Sequence, residues 1–302
     1  MASERKISLI GAGRMGGKVV KALSENPFGG MADIIAVYDS DPQKIGKSLN
    51  ELYGYGGDLI VSDISSNFLR CAGVLDFSNG SAVQENLPRV VEQMRPTAVI
   101  IGATGILSTF DARLAELAKK TRIARSNNWS EEVCYFLNKT VPDAASKFPI
   151  SEGWQVDVTD AHHNQKGDGY SGTALTIAEI TAGVNGLGKD DIVVQIPYKS
   201  STLYVPYREL EKDFSSQELQ KYKSKRPLNK IVLHTGTRAG NIIGYHRVDF
   251  YKGDLHEKIE NDVPDRILFA RGALKALFIM LGCFDEYPPG SVFEPKDIFD
   301  LE

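Results

Sequence analysis

Near its start the chain sets a short apolar run, Lys6 to Ile10, directly against Gly11-Ala12-Gly13-Arg14-Met15-Gly16, then places Met15, Val19, Val20 and Leu23 at helical spacing. A strand that turns through three glycines into a helix has few alternatives. Gly11 permits the tight turn, Gly13 lets backbone approach a pyrophosphate, and Gly16 allows close packing of helix on strand. A second apolar run, Ile34 to Tyr38, ends in Asp39, 23 residues beyond Gly16. That is near the offset at which a carboxylate meets a ribose. A dinucleotide is therefore expected over Gly11 to Gly16, with Asp39 on its ribose. A carboxylate there accepts from the 2′-hydroxyl of NADH and repels the 2′-phosphate of NADPH. Only Lys44 lies nearby to favour the phosphate, so NADH is the preferred cofactor and NADPH the alternative.

The strand–helix alternation continues. Gly73 to Phe77 reads as a strand, Val83 to Met94 as a helix, and Ala98 to Ile101 as a strand ending in Gly102-Ala103-Thr104-Gly105. Phe110 to Lys119 reads as a helix, and Ile123 to Arg125 as a strand entering Ser126-Asn127-Asn128-Trp129-Ser130. Such alternation implies a parallel, doubly wound sheet with ligands at the carboxyl ends of its strands. Gly102, Ala103, Thr104, Ser126, Asn127, Asn128 and Trp129 all lie at such ends, placed for the nicotinamide half of a cofactor.

After Ser130 the texture changes. A helix over Glu131 to Leu137 is followed by strands at Gln155 to Thr159, Ile192 to Ile196, Ser201 to Val205, Ile231 to Thr235, Ile242 to Tyr251 and Leu255 to Asn261. Few helices interrupt them, which predicts an α+β domain with a mostly antiparallel sheet. Glu209 to Pro227 reads as a polar surface segment. Pro264 opens an apolar helix, Asp265 to Leu281, expected to return to the first domain. The expected organisation is a Rossmann domain over 1–129 completed by 264–302, with the α+β domain over 130–263 for substrate and assembly.

Composition narrows the function. A net charge of −4 and no basic cluster interleaved with aromatics give no field for nucleic acid. No apolar run reaches the 18 residues of a membrane span, and the N-terminus lacks the pattern of a signal peptide. Three scattered cysteines, Cys71, Cys134 and Cys283, form neither a disulfide framework nor metal-ligand spacing. A cytoplasmic protein without membrane or metal is the expectation.

The chemistry concentrates in Asp160-Ala161-His162-His163-Asn164-Gln165-Lys166-Gly167-Asp168-Gly169-Tyr170-Ser171-Gly172-Thr173-Ala174. His162, His163 and Lys166 hold or move protons near neutral pH. Ser171 or Thr173, before the apolar run Leu175, Ile177, Ile180, Val184, reads as a helix N-cap, with the helix running from Thr173. The helix start at Ser171, Gly172 and Thr173 offers unpaired N–H groups and a positive dipole end to a carboxylate. Acid–base groups beside an anion cradle suit a small acidic substrate.

With these motifs assembled, the chain resembles the dihydrodipicolinate reductase family over nearly its whole length. The family signature Glu-x-His-His-x-x-Lys-x-Asp-Ala-Pro-Ser-Gly-Thr-Ala runs here from Asp160 to Ala174. Gly102 to Gly105 matches its Gly-Thr-Thr-Gly, and Asn127 to Ser130 its Ala-Asn-Phe-Ser. Arg238, Gly244-Tyr245-His246 and Phe250 match its late pattern. Arg266, Phe269, Ala270, Gly272 and Ala273 match its closing one. The resemblance implies hydride transfer from reduced nicotinamide to a cyclic unsaturated dicarboxylate in lysine and diaminopimelate biosynthesis. It implies His162 as the acid, Lys166 as a substrate-side charge or the proton donor, His163 on a substrate carboxylate, and Arg238 with the cofactor set. It also implies a homotetramer assembled through the second domain's sheet.

The chain departs from the family in places that bear on the substrate and the cofactor loop. The nucleotide loop is one residue shorter, Gly169-Tyr170 stands for Ala-Pro, and Trp129 stands for Phe. Two other readings stay open at this point: a divergent NAD-dependent oxidoreductase acting on another imine or enamine carboxylate, and a nucleotide-binding paralogue without turnover.

Overall fold

The strand Lys6–Ile10 (β1) is buried along four of its five residues and pairs in parallel with Asp33–Asp39 (β2) and Gly73–Asp76 (β4). The computed structural model describes residues 6–25, 28, 30–165, 170–198, 201–209, 222, 224–282 and 286–300. They fall into two compact units, Met1–Cys134 with Arg266–Asp300, and Tyr135–Asp265.

In the first unit, Val61–Asp63 (β3), Ala98–Ile101 (β5), Arg122–Arg125 (β6) and Val292–Phe293 (β14) complete a seven-stranded sheet in the order β14-β6-β5-β4-β1-β2-β3. Every pairing is parallel. The chain leaves β1 toward β2 and later resumes at β4 on the other side. That reversal of direction is where open α/β sheets bind ligands. One face carries α1 (Arg14–Ser24) and α8 (Ile267–Gly282). The other packs α3 (Gly80–Arg89) and α4 (Asp111–Ala118) through Val83, Leu87, Leu114 and Leu117.

The sequence placed the start of α3 at Val83. It begins three residues earlier because Asn79 caps it, accepting from the Ala82 amide at 3.0 Å. Pro88, which has no N–H to return, precedes a widened π turn over Val90–Met94.

Helix α8 buries Ile267, Leu274, Leu277, Phe278, Met280 and Leu281. Removing those side chains from water contributes on the order of 10 kcal/mol. Its Gly272 lies against the Trp129 carbonyl, where a Cβ would overlap backbone. Leu277 closes over Gly73 in the same way, side chain against a strand with none.

The second unit holds a mixed sheet in the order β13-β12-β7-β10-β8-β9. Its strands are Gln155–His162 (β7), Ile192–Tyr198 (β8), Ser201–Pro206 (β9), Ile231–His234 (β10), Gly244–Lys252 (β12) and Leu255–Val263 (β13). The long ladders β12–β13, β12–β7 and β8–β9 are antiparallel, while β10 is parallel to both neighbours. Thr237–Arg238 (β11) adds a short parallel pairing to the end of β7. Helix α7 (Gly172–Val184) covers one face with Ile177 and with Ala174, Ala178 and Ala182, three small residues that bring helix and sheet close. Phe148, Trp154 and Phe250 close that core, with ring centroids 4.8 and 5.1 Å apart.

The opposite face of this sheet is polar. Asp157 and Asp249 are cross-strand partners, and each carboxylate meets one histidine and one arginine. Asp157 meets His234 at 2.9 Å and Arg226, and Asp249 meets His256 and Arg247, each at 2.7 Å. The polar segment predicted over Glu209 to Pro227 falls mostly outside the described residues. No helix among the described residues is long and apolar enough to cross a membrane.

Gly272→Ala is expected to destabilise the first unit by about 3 kcal/mol, since neither the Trp129 carbonyl nor the helix has room to move. Urea unfolding followed by tryptophan fluorescence measures it, with Gly183→Ala, whose Cβ meets nothing within 4 Å, as the neutral control.

Candidate functional site

The glycine turn of the first unit is built for close approach. Gly11 takes φ +93° and lies against the Phe77 backbone, so no side chain fits there. Gly16 rests on the Gly11 carbonyl, while a Cβ on Gly13 would meet no protein atom within 4 Å. Gly13 is also the N-cap of α1 and supplies no side-chain cap, which leaves first-turn N–H groups available to an anion. Ala12 is buried, Arg14 is exposed and Met15 is half-buried.

Asp39 ends β2 beside this turn. Its Oδ2 accepts from the Ala12 amide at 2.7 Å, and its Oδ1 from the Asp41 amide at 2.8 Å. Lys44 Nζ stands 3.2 Å from Asp39 and 3.4 Å from Asp41. The Tyr53 hydroxyl donates to the Gly13 carbonyl at 3.4 Å, and that of Tyr55 to the Gly17 carbonyl at 3.0 Å. Burial, then the charge of Asp39, pushes the Tyr53 phenol up to about 12. It therefore stays a donor at any working pH.

Gly102 to Thr104 follow β5 and reach the surface at Thr104, whose carbonyl accepts from the Gly80 amide at 2.8 Å. Ser126 follows β6; its hydroxyl donates to the Asn128 carbonyl at 2.7 Å, and Asn127 is exposed. Trp129 is 1% exposed and its indole N–H donates to the Ile101 carbonyl at 3.1 Å. The indole is thus core, and only backbone remains at that position for a ligand.

In the second unit β7 runs on to His162, three residues past its predicted end. β12 pairs with Asp160 and Ala161 on one side, and β11 with Ala161 and His162 on the other. Asp160 and His162, two apart on a strand, share a face. Asp160 is fully buried; its Oδ2 lies 3.0 Å from His162 Nδ1 and accepts from the Ser171 amide at 2.9 Å. Arg238 Nη1 is 3.5 Å from its Oδ1. Burial acts to raise the Asp160 carboxyl, but hydrogen bonds from His162 and Ser171 and the charge of Arg238 outweigh it and hold the group below the usual carboxylate range.

Ser171 caps α7, its Oγ accepting from the Ala174 amide at 3.1 Å, and pairs with His246 Nε2 at 3.1 Å. His246 stands edge-on to His162 with ring centroids 5.4 Å apart. His163 is half-buried at the end of β7, Gly172 is exposed and Thr173 half-buried. Tyr170 packs against the core around Phe136 and Ile177. Lys166 lies outside the described residues.

Asp160, His162 and His246 bring ligand atoms within 4.8 Å of one another. The Arg238 guanidinium already supplies positive charge to that carboxylate, and the trio is a close acid–imidazole cluster in which His162 Nδ1 approaches Asp160 without hydrogen-bond alignment. The sequence reading assigned no role to Asp160 or His246 and put Arg238 with the cofactor set; here all three surround His162.

Two family models match in tandem: "Dihydrodipicolinate reductase, N-terminus" over residues 5–129 and "Dihydrodipicolinate reductase, C-terminus" over residues 134–298. The chain belongs to the dihydrodipicolinate reductase family. Dihydrodipicolinate reductases are NAD(P)H-dependent oxidoreductases. The 4-hydroxy-tetrahydrodipicolinate reductase of Pseudoalteromonas translucida (strain TAC 125) is 26% identical over 99% of this chain and 100% of its own. That of Rhizobium rhizogenes (strain K84 / ATCC BAA-868) is 30% identical over 90% and 89%. A dipicolinate-bound dihydrodipicolinate reductase from Paenisporosarcina sp. TG-14 superposes with a TM-score of 0.64 at 19% identity, covering 98% of this chain and 100% of that one. An amine dehydrogenase from Mycobacterium smegmatis gives 0.60 at 13% identity, covering 99% and 97%. At these identities the two structures speak for the fold.

A buried carboxyl of the first unit gives the stability of this chain a pH dependence. Asp76 ends β4 between Ile10 and Ile101 and is 1% exposed. Its Oδ1 accepts from the Ser78 amide at 3.0 Å and from the Ser78 hydroxyl, while its Oδ2 has no hydrogen-bond partner among the described residues. Burial pushes the carboxyl from its ordinary 3.8 up to about 6, against the pull of the Ser78 hydrogen bonds. The folded state therefore holds this proton more tightly than the unfolded chain. Stability from it is full below about pH 4 and is lost as pH rises through 6, a change of about 3 kcal/mol. Asp76→Asn is expected to remove that decline. Urea midpoints at pH 4 and pH 7 measure it, the variant gaining on wild type at the higher pH.

Proposed function

We propose that this protein reduces dihydrodipicolinate to tetrahydrodipicolinate, the 4-hydroxy-tetrahydrodipicolinate reductase reaction of lysine and diaminopimelate biosynthesis. The observation that carries the reading is the meeting of His162, Arg238 and the start of α7 at one end of β7, in a chain that matches the family from end to end.

Reduced nicotinamide, when bound, supplies the hydride. The uncapped start of α1 with Gly11, Ala12, Gly13, Arg14, Met15 and Gly16 takes the pyrophosphate. Asp39 takes the ribose, and Gly102, Ala103, Thr104, Ser126, Asn127, Asn128 and the Trp129 backbone face the nicotinamide side. His162 holds the proton for the substrate on Nε2, the nitrogen turned away from Asp160. The N–H groups of Gly172 and Thr173 receive one substrate carboxylate. The Ser171 hydroxyl, engaged by Ala174 and His246, serves that cradle as its cap. His163 hydrogen-bonds a substrate carboxylate, Arg238 adds positive charge on the substrate side, and Lys166 enters as a second cation through the family signature. The second sheet is the element through which a homotetramer would form.

Two outcomes check this. With dihydrodipicolinate generated in situ by its synthase, oxidation of reduced nicotinamide is expected, and His162→Ala lowers turnover by about 10²-fold or more while NADH still binds. Unchanged turnover removes His162 from the mechanism. The same assay is expected to give a higher kcat/KM with NADH than with NADPH. Lys44→Ala widens the ratio about fivefold, as roughly 1 kcal/mol for one partly exposed charge pair. An NADPH efficiency equal to or above that of NADH overturns the assignment of Asp39.

A further inference from the structure

We propose that Asp160 is the positioning residue of His162: one buried carboxylate fixes both the tautomer of the proton donor and its place relative to the start of α7. The inference rests on the reading of His162 as the acid and goes beyond it. Asp160 Oδ2 serves two elements at once, 3.0 Å from His162 Nδ1 on its own strand and 2.9 Å from the Ser171 amide at the head of α7. An ionised carboxylate only accepts hydrogen bonds. The two atoms approach to 3.0 Å without the alignment of a hydrogen bond; since two lone pairs repel at that distance, the facing Nδ1 is the nitrogen that holds the proton, which leaves Nε2 to gain or give one.

The surroundings hold the carboxylate in place. It has no exposed surface. Arg238 approaches from β11, the strand paired with His162, and the Ala239 amide donates to the His162 carbonyl at 3.0 Å. A Cβ at Gly236 would overlap both Asp160 Oδ1 and the Arg238 guanidinium, so glycine at 236 is what admits the contact. A Cβ on Gly244 would come into ordinary van der Waals contact with His162 Nε2, at 3.6 Å, which places that nitrogen beside β12. His246 completes the frame, edge-on to His162 and bonded to Ser171 Oγ at 3.1 Å. Acid, arginine and helix start are thus registered through one group. Where the family signature has glutamate this chain has aspartate, one methylene shorter.

The test uses the full-length protein labelled with ¹⁵N-histidine, its five histidines assigned with His162→Gln. Wild type is expected to show neutral His162 protonated at Nδ1; protonation at Nε2 overturns the proposal without any further variant. In Asp160→Asn the amide N–H faces Nδ1, so the neutral proton moves to Nε2. Its kcat falls about 10²-fold while the KM for NADH stays within about twofold. Asp160→Glu restores kcat to within about tenfold of wild type. If His162→Ala keeps full turnover, the acid reading fails first. If His162→Ala is slow and Asp160→Asn turns over within twofold of wild type, the positioning role alone is overturned.

Discussion

An ionised carboxylate withdrawn from water costs several kcal/mol unless donors and opposite charge surround it. Asp160 is such a group: the Ser171 amide donates to Oδ2, and Arg238 and His162 stand within 3.5 Å, while Oδ1 has no hydrogen-bond partner among the described residues. The helix start must lie where the Ser171 amide can donate, the β11 segment where Arg238 can reach, and the His162 ring where Nδ1 faces the oxygen. Each partner comes from a different stretch of chain, so the requirement is met only when helix, strand and loop dock together. Functional geometry and local stability are here the same contacts.

The first unit repeats the device in simpler form. Asp39 and Asp76 also stand at strand ends, and each accepts amide hydrogens from the loop that follows or adjoins it. A strand end leaves backbone donors unpaired, and a short carboxylate there collects them. The three cases differ in what balances the charge. Asp39 has Lys44 and Asp160 has Arg238. Asp76 has only a serine, and burial raises its carboxyl accordingly.

The glycine turn, the alternation of the first sheet and the histidine stretch were legible in the sequence because their signals are local. Glycine spacing and apolar periodicity are written within a dozen residues. The strand β7 was read three residues short because pairing with β11 and β12, about eighty residues away, extends it over polar residues. That error hid Asp160, since only on a continuous strand do residues 160 and 162 share a face. Arg238, His246 and Gly236 were out of reach for the same reason: their partners are distant in sequence. Trp129 looked like a ligand residue because it follows a strand end; burial of its indole against Ile101 is decided by packing.

Tyr53 and Tyr55 hold the carbonyls of Gly13 and Gly17 from outside the glycine turn. The turn's stiffness is borrowed in this way from a segment some forty residues on. That segment lies on the chain beyond Asp39 and Lys44, so an insertion or deletion between 39 and 55 would shift the support of the loop together with the carboxylate beside it.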